Sequence, residues 1–311
     1  MSEILKRIDD AGHVVVIAHA HPDADSIGAA SAFYTHLLRL HKKVSFFCVT
    51  HDINPKLKFI PWTDKIRNSF VSSADLAISF DCASRERLGV EVECDLINID
   101  HHEINTNFGN YSLVDKSRIS TTEVLFYFFK ENGIEINAKM ATALYAGLLD
   151  DSGGFLDEKV NGMTFALAGE LIERGADYKL CNKFIMKYTT LGAFRLKAIM
   201  HKNMKLYLDA KVAVFCVSDD DMKTSGAIEE DCENSLEEAL HLQSVEVALL
   251  LKQNSDFSIK GSLRSKTADL LKIASCFGGG GHKNRAGFTI GSSMSLENAR
   301  DDILKLIYKE I

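Results

Sequence analysis

Three short apolar segments of this chain each run directly into aspartate or histidine side chains. The segments and the polar residues that follow them are 14–18 with His19, His21, Asp23 and Asp25; 76–80 with Asp81; and 96–99 with Asp100, His101 and His102. Short runs of this kind are typical of buried strands, and segments with helical spacing alternate with them. This alternation predicts an α/β fold with a parallel sheet, in which the carboxyl ends of the strands lie at one edge.

A fourth acidic turn, Asp150-Asp151-Ser152-Gly153, follows a helix predicted over 138–149. Together the four turns supply more carboxylates than a single cation neutralises. Two cations that share one carboxylate fit better, and such a pair activates water and neutralises charge on phosphorus. Imidazole beside carboxylate favours manganese over magnesium. His21 and Asp150 stay open between metal ligands and groups that support the ligands.

Length and helical spacing together predict two domains. A chain of 311 residues exceeds the usual size of a single hydrophobic core. Residues 182–208 have helical spacing and many lysines, which predicts a long helix between the domains. We therefore predict a catalytic domain over 1–185, a helical linker over 186–208 and a smaller α/β domain over 209–311.

A run of four glycines marks the C-terminal part of the chain. The run and the residues that follow it are Gly278, Gly279, Gly280, Gly281, His282, Lys283 and Arg285. Uncovered backbone N–H groups let an anion approach closely, although a flexible turn explains a glycine run equally well. Upstream, Lys260, Ser262 and Arg264 alternate along a predicted strand and so share one face. Arginine and serine beside such a run predict a phosphate or nucleotide site.

Charge and composition narrow the classes of partner. The formal net charge of −7 argues against broad contact with long duplex nucleic acid, but not against a small nucleotide. No segment has the length of a membrane span, and the first residues do not resemble a signal peptide. Seven scattered cysteines without a Cys-x-x-Cys pair predict reduced thiols in a cytoplasmic protein. The sequence has no P-loop and no GxGxxG motif, which leaves triphosphate hydrolysis and dinucleotide cofactors without support.

The polar turns, taken in order, resemble the four motifs of the DHH phosphoesterase superfamily. Those motifs are matched by His19-x-x-x-Asp23-x-Asp25, by Asp81 at a strand end, by Asp100-His101-His102 and by Asp151-Ser152-Gly153. The Ser262-Leu263-Arg264-Ser265 segment and the glycine run with His282 resemble the superfamily's DHH-associated C-terminal domain. The resemblance covers nearly the whole chain. Its length and domain pattern are most similar to those of the NrnA-type oligoribonucleases, which also dephosphorylate 3′-phosphoadenosine-5′-phosphate.

The resemblance implies a role for each matched residue. His19, Asp23 and Asp81 would bind one Mn²⁺, while Asp25, Asp81, His101 and Asp151 would bind a second, and Mg²⁺ or Co²⁺ are substitutes. His102 would contact the scissile phosphate, and Asp100 would orient the histidine pair. The residues that would bind nucleotide are Ser262, Arg264, Gly279, Gly280, Gly281, His282 and Arg285. His21 and Arg285 depart from the superfamily pattern, which usually has asparagine and alanine there.

We therefore predict a manganese-dependent phosphoesterase of short nucleotides: oligoribonucleotides of two to about four residues, linear dinucleotides and 3′-phosphoadenosine-5′-phosphate. A cyclic-dinucleotide phosphodiesterase, for example for cyclic-di-AMP, is an open alternative. So are a family II inorganic pyrophosphatase and a non-catalytic nucleotide sensor. A RecJ-like exonuclease would need more basic surface and more aromatic stacking platforms. We expect no membrane partner and no long duplex partner, and a homodimer is left open.

Overall fold

The computed structural model describes residues 3–311, without the side chains of residues 229, 230 and 234. The chain divides into an N-terminal unit, Met1–Tyr188, and a C-terminal unit, Thr189–Ile311. Each unit contains a six-stranded sheet. Short 3-10 helices occur at Pro55–Leu57, Thr63–Lys65, Arg85–Leu88 and Glu229–Cys232.

A parallel sheet organises the N-terminal unit. Its strands are β1 (His13–Ala18), β2 (Lys43–Phe47), β3 (Ile66–Arg67), β4 (Leu76–Phe80), β5 (Asp95–Asp100) and β6 (Tyr111–Val114). Their order in the sheet is β3-β2-β1-β4-β5-β6, and every neighbouring pair is parallel. The helices are α1 (Glu3–Asp10), α2 (Ala24–Arg39), α3 (Thr121–Glu131), α4 (Ala138–Asp151), α5 (Gly162–Glu173) and α6 (Tyr178–Cys181). All residues of the central strands β1 and β4 are buried, as expected for a parallel sheet covered on both faces.

Two glycines let α2 and α4 pack closely. A Cβ atom at Gly28 of α2 would lie 2.4 Å from the carbonyl oxygen of Ala143 on α4. A Cβ atom at Gly147 of α4 would lie 2.6 Å from Oδ1 of Asp25. The absence of these side chains therefore brings the acidic first turn of α2 next to the acidic last turn of α4.

A mixed sheet organises the C-terminal unit. Its strands are β7 (Lys205–Tyr207), β8 (Val212–Val217), β9 (Val247–Gln253), β10 (Ile259–Ser265), β11 (Gly280–His282) and β12 (Arg285–Ile290). The order is β11-β12-β10-β9-β8-β7, in which β8 and β9 are parallel and the other neighbours antiparallel. The helices are α7 (Leu191–Asn203), α8 (Asp219–Ser225), α9 (Asn234–Leu240), α10 (Leu270–Ser275) and α11 (Leu296–Glu310). The predicted α/β class, with a parallel sheet followed by a smaller α/β domain, is confirmed.

The prediction of one long helix over 182–208 is wrong. A π-helical segment spans Asn182–Lys187, the backbone of Tyr188 is extended, and α7 begins only at Leu191. The hydroxyl of Thr190 accepts a hydrogen bond of 3.0 Å from the backbone N–H of Ala193 and so caps α7. Threonine in this position favours the start of a new helix over continuation of the preceding one.

Among the helices of residues 3–311, none combines the length and the apolar character that a membrane crossing requires.

Candidate metal centre

Four polar segments of the N-terminal unit meet beside the carboxyl edge of the parallel sheet. His19 follows β1, Asp81 follows β4, and Asp100 ends β5. Asp23 caps the N-terminus of α2, where its side chain accepts a hydrogen bond from the backbone N–H of Ser26. Asp151 is the last residue of α4. The topology thus collects side chains that are far apart in sequence at one edge.

Asp81 lies in the middle of this cluster. Its φ of 60° falls in the left-handed region, where aspartate is one of the better tolerated residues other than glycine. Its Oδ2 lies 3.3 Å from Nε2 of His19, and its Oδ1 lies 3.5 Å from Nε2 of His101. The hydroxyl of Thr121 donates a hydrogen bond of 3.0 Å to Oδ1. One buried carboxylate therefore faces histidines from two different strand ends.

Three sets of side chains in this cluster offer ligand atoms that lie within 4.8 Å of one another. The sets are His19, Asp23 and Asp81; Asp25, His101 and Asp151; and Asp81, His101 and His102. All six residues that the sequence predicts as metal ligands are members of the first two sets. Their donor atoms, imidazole nitrogens and carboxylate oxygens, suit a divalent transition metal such as manganese.

Hydrogen bonds fix the orientation of two of these imidazoles. His19 donates from Nδ1 to the backbone carbonyl of Ala20 at 2.8 Å, and Nδ1 of His101 lies 3.4 Å from the carbonyl of Arg118. A carbonyl only accepts, so Nδ1 carries a hydrogen and, in the neutral imidazole, the lone pair is on Nε2. In both residues Nε2 faces the carboxylates, which is the arrangement of a histidine that binds metal.

Asp25 is fully buried against the N-terminus of α3. Its oxygens accept hydrogen bonds from the backbone N–H groups of Thr121 and Thr122, at 2.7 and 2.9 Å, and from the Thr122 hydroxyl at 2.6 Å. Burial and the charge of Asp81 nevertheless raise the pKa of Asp25 to about 8, despite these donors. The carboxylate is therefore well positioned but poorly neutralised.

The charges of the cluster fit a bound cation. Burial, followed by the charges of Asp25 and Asp81, also raises the pKa of Asp151 well above its usual range. Buried carboxylates that retain their protons lack positive charge around them, which divalent cations would supply.

His102 and Asp100 form a separate hydrogen-bonded pair beside these ligands. Nδ1 of His102 donates to Oδ1 of Asp100 at 2.7 Å, and this hydrogen bond, despite burial, raises the pKa of His102. Asp100 is fully buried, and its other oxygen accepts a hydrogen bond of 2.5 Å from Asn105. The half-exposed imidazole of His102 lines a cavity of about 400 Å³, so it is oriented by protein and accessible to a ligand.

Arg87 is a residue of this site that the sequence did not single out. It lies in the 3-10 helix Arg85–Leu88, and its Nη2 lies 2.9 Å from Nε2 of His19. The guanidinium of Arg87 can only donate a hydrogen bond, so Nε2 of His19 must accept it. Nε2 accepts only when it carries no proton, which is the case in the neutral imidazole. Arg87 and Lys159 are the basic side chains that line the 400 Å³ cavity, whose other lining residues are Asp23, Asp81, His101, His102, Ile119, Asp151 and Asp157.

His21 and Asp150 take no part in the three ligand sets of the described residues. His21 is exposed, with a φ of 54°, and its backbone N–H donates to the hydroxyl of Thr50. Asp150 accepts a hydrogen bond of 3.0 Å from the backbone N–H of Ala24, the first residue of α2. Asp150 thus supports the helix that carries Asp25.

The predicted nucleotide-binding arginine of the C-terminal unit is engaged with carboxylates. Arg264 of β10 is buried, and its Nη2 lies 2.5 Å from Glu233 while its Nε lies 3.1 Å from Glu237. Ser262 also donates a hydrogen bond to Glu233, at 2.9 Å. Arg264 is paired in the sheet with Arg285, and Arg285 with His282. The predicted cationic residues are therefore neighbours, but Arg264 already forms ion pairs with acidic side chains.

Packing explains much of the glycine run. A Cβ atom at Gly279 would lie 2.2 Å from the carbonyl oxygen of Gly287, and one at Gly281 would lie 2.4 Å from that of Arg285. Close approach to β12 therefore requires glycine at both positions. No atom lies within 4 Å of a Cβ at Gly280, so this position alone among the three is open for the approach of a ligand.

Comparison with known proteins identifies both units. Residues 13–148 match the family model of the DHH family, N-terminal domain, and residues 209–311 match that of the DHHA1 domain. The chain is 26% identical to a bifunctional oligoribonuclease and PAP phosphatase NrnA of Thermus thermophilus, over 100% of this chain and 93% of that protein. It is also 26% identical to the NrnA of Bacillus subtilis with the same description, over 94% of this chain and 93% of the relative.

A solved structure supports the fold. The crystal structure of an exopolyphosphatase-related protein from Bacteroides fragilis matches with a TM-score of 0.89 and 24% identity, over 98% of this chain and 94% of the other. Two family domains in order, a shared fold and relatives of similar length lead to one assignment. The chain belongs to the DHH family of metal-dependent phosphoesterases.

Proposed function

We propose that this chain is a manganese-dependent phosphoesterase of short nucleotides. Its substrates in this proposal are oligoribonucleotides of two to about four residues, linear dinucleotides and 3′-phosphoadenosine-5′-phosphate. The observation that carries the proposal is the cluster around Asp81, where carboxylates and imidazoles converge beside an open cavity. The relatives named oligoribonuclease and PAP phosphatase support a nucleotide substrate.

Six side chains divide into two ligand groups in this proposal. His19, Asp23 and Asp81 would hold one Mn²⁺, and Asp25, Asp81, His101 and Asp151 would hold the other. Bound there, the two ions would activate water and neutralise charge on the phosphoryl group. The chain contributes fixed orientation, because backbone carbonyls hold Nδ1 of His19 and of His101 and the N-terminus of α3 holds Asp25.

His102 acts on the substrate from the side of the cavity. Because its Nδ1 donates to Asp100, its Nε2 is free to hydrogen-bond a phosphate oxygen or to give a proton to the leaving oxygen. Asp100 is in turn held by Asn105, which keeps the imidazole from rotating. Asp100 is therefore a positioning residue.

Nucleotide contacts in the C-terminal unit come from a set of residues around β10, β11 and β12. The set comprises Ser262, Arg264, Gly279, Gly280, Gly281, His282 and Arg285. Arginine binds phosphate through paired N–H groups, and Arg264 is available for this only when it exchanges Glu233 or Glu237 for the ligand.

A substrate panel tests the proposal. The purified chain, loaded with Mn²⁺, is assayed with pApA, pGpG, 3′-phosphoadenosine-5′-phosphate, cyclic-di-AMP, pyrophosphate and an RNA series of increasing length. We expect the highest kcat/KM for substrates of two to about four nucleotides, and a shallow dependence of KM on salt, because few phosphates are neutralised.

Other outcomes identify the alternatives. Preferred cleavage of cyclic-di-AMP would support a cyclic-dinucleotide phosphodiesterase, and processive cleavage of the longest RNA would support a RecJ-like exonuclease. Turnover of pyrophosphate alone would support a pyrophosphatase. Tight nucleotide binding without turnover of any substrate would support a sensor.

A further inference from the structure

Arg87 contacts the one atom of His19 that a metal ion would need. Nη2 of Arg87 lies 2.9 Å from Nε2 of His19, while Nδ1 of the same imidazole is used by the carbonyl of Ala20. A lone pair serves one partner at a time, so the Arg87 N–H and a cation exclude each other at Nε2. Arg87 must leave His19 for a cation to bind there.

The backbone around Arg87 is held by a hydrogen bond and by packing, whereas its side chain is exposed. The carbonyl of Arg87 accepts a hydrogen bond of 2.8 Å from the N–H of Ala20, which ties the 3-10 helix to the turn after β1. The next residue, Leu88, is fully buried, and Gly89 ends the helix in the left-handed conformation. The Arg87 side chain itself is exposed on the cavity. A guanidinium that leaves His19 therefore stays within reach of the same cavity.

The charge of the filled site favours a role for the released guanidinium. The positive charge of two divalent cations would be cancelled by the negative charge of four carboxylates, those of Asp23, Asp25, Asp81 and Asp151. An anionic phosphate then requires further positive charge. Of the two basic side chains that line the cavity, Lys159 is an exposed residue whose ammonium lies 3.3 Å from Glu103. Arg87 is the better placed, and a guanidinium binds two phosphate oxygens at once.

We propose that Arg87 is a substrate-binding residue that metal binding releases from His19 and that then contacts the non-bridging oxygens of the scissile phosphate. The inference rests on the proposed function for the identity of the substrate. It links two events at one side chain: the guanidinium competes with the metal in the absence of substrate and holds the substrate once the metal is bound.

The test compares Arg87→Ala and Arg87→Lys with Arg85→Ala, a matched control two residues away whose guanidinium lies 3.8 Å from Glu91. Calorimetric titration of the metal-free protein with Mn²⁺ should show roughly 2- to 10-fold tighter binding in Arg87→Ala, because a competing hydrogen bond is gone. The same variant should lose roughly 10- to 150-fold in kcat/KM for pApA, because charged hydrogen bonds to the phosphate are gone. Arg87→Lys should lie between Arg87→Ala and the wild type in kcat/KM, and Arg85→Ala should match the wild type in both measurements.

Arg87→Ala is expected to bind Mn²⁺ more tightly and to have a lower kcat/KM, two effects of opposite sign. Weaker Mn²⁺ binding by Arg87→Ala would overturn it, since Arg87 would then support the metal site. Unchanged kcat/KM in an active enzyme would also overturn it. Absence of turnover by the wild type on every substrate would instead contradict the proposed function, while the titration would still test the competition at His19. Circular dichroism and thermal unfolding check that each variant is folded.

Discussion

At the scale of single residues, Asp81 concentrates backbone strain and electrostatic repulsion. Its φ is 60°, and its buried carboxylate contributes to the raised pKa of both Asp25 and Asp151. Strain and repulsion of this kind are typical of sites where function, not stability, selects the residue. The backbone N–H of Asp81 donates a hydrogen bond of 3.0 Å to the carbonyl of Ile99, which ties this turn to β5.

The variant Asp81→Asn separates these two contributions, because asparagine also tolerates the left-handed region. In the metal-free protein we expect an increase in melting temperature on the order of a few degrees, because one repelling charge is removed. With Mn²⁺ at about 100 times its Kd, the wild type should gain about 2.7 kcal/mol and the variant almost nothing. Calorimetry with and without a chelator measures both, and an equal gain in the variant would contradict the role of Asp81 as a ligand.

His36 predicts a pH dependence of stability that is independent of the metal site. It is buried on α2 between the rings of Phe33 and Phe129, and its Nε2 has no hydrogen-bond partner. Burial, aided by Arg39 and opposed by Asp9, lowers its pKa to about 4. A histidine with a folded pKa below its unfolded value contributes stability above about pH 6.5 that is lost as the pH falls towards 4.

The variant His36→Leu tests this dependence. The wild type should lose about 3 kcal/mol of unfolding free energy between pH 6.5 and 4 from this residue. The variant should lack that part of the loss, so its urea midpoint should fall less over the same range. Equal slopes of wild type and variant would show that other groups cause the acid sensitivity.

At the scale of elements, the sequence predicted the strands that carry the site better than the edges of the sheet. β4 was predicted with its observed bounds, and β1 and β5 to within about one residue at each end, because buried parallel strands are continuous apolar runs. β6 was missed, since Tyr111–Val114 is a short, half-buried edge strand without such a run. The break before α7 was missed because helical spacing persists through the capping residue Thr190.

Helix packing places Asp25, and two glycines give a matched test of this. Gly147→Ala puts a Cβ atom 2.5 to 2.7 Å from Thr122 and Asp25, so we expect a loss of about 1–3 kcal/mol and weaker Mn²⁺ binding. Gly169 on α5 has no atom within 4 Å of such a Cβ, and alanine there should add about 0.5–1 kcal/mol. Urea unfolding and metal titration distinguish the two, and equal effects would contradict the packing argument.

At the scale of the whole molecule, the sequence indicated both clusters of candidate functional residues but not the partners of each. The predicted metal ligands follow strand and helix ends, so topology alone brings them together. Arg87 could not be distinguished from Arg85, because both lie in one polar segment. Nor could the pairing of Arg264 with Glu233 and Glu237 be predicted, since acidic residues at or near the start of a helix usually face solvent.

This pairing predicts opposite effects of two substitutions in the C-terminal unit. Arg264→Ala should raise KM for short nucleotides and leave Mn²⁺ content unchanged, because the predicted metal ligands all belong to the other unit. Glu237→Gln removes a competing charge at an exposed position and should lower KM up to about 5-fold. Steady-state kinetics and metal analysis measure both, and a higher KM in Glu237→Gln would contradict the competition.

Anomalous diffraction at the manganese edge distinguishes a pair of metal ions that share Asp81 from a single ion. Crystals of the wild type soaked in Mn²⁺ should show two anomalous peaks about 3.5–4 Å apart, one on each side of the Asp81 carboxylate. Crystals of Asp81→Asn should lack both peaks at the same Mn²⁺ concentration. A single peak in the wild type, or two peaks of unchanged height in Asp81→Asn, would show that Asp81 does not join two ions.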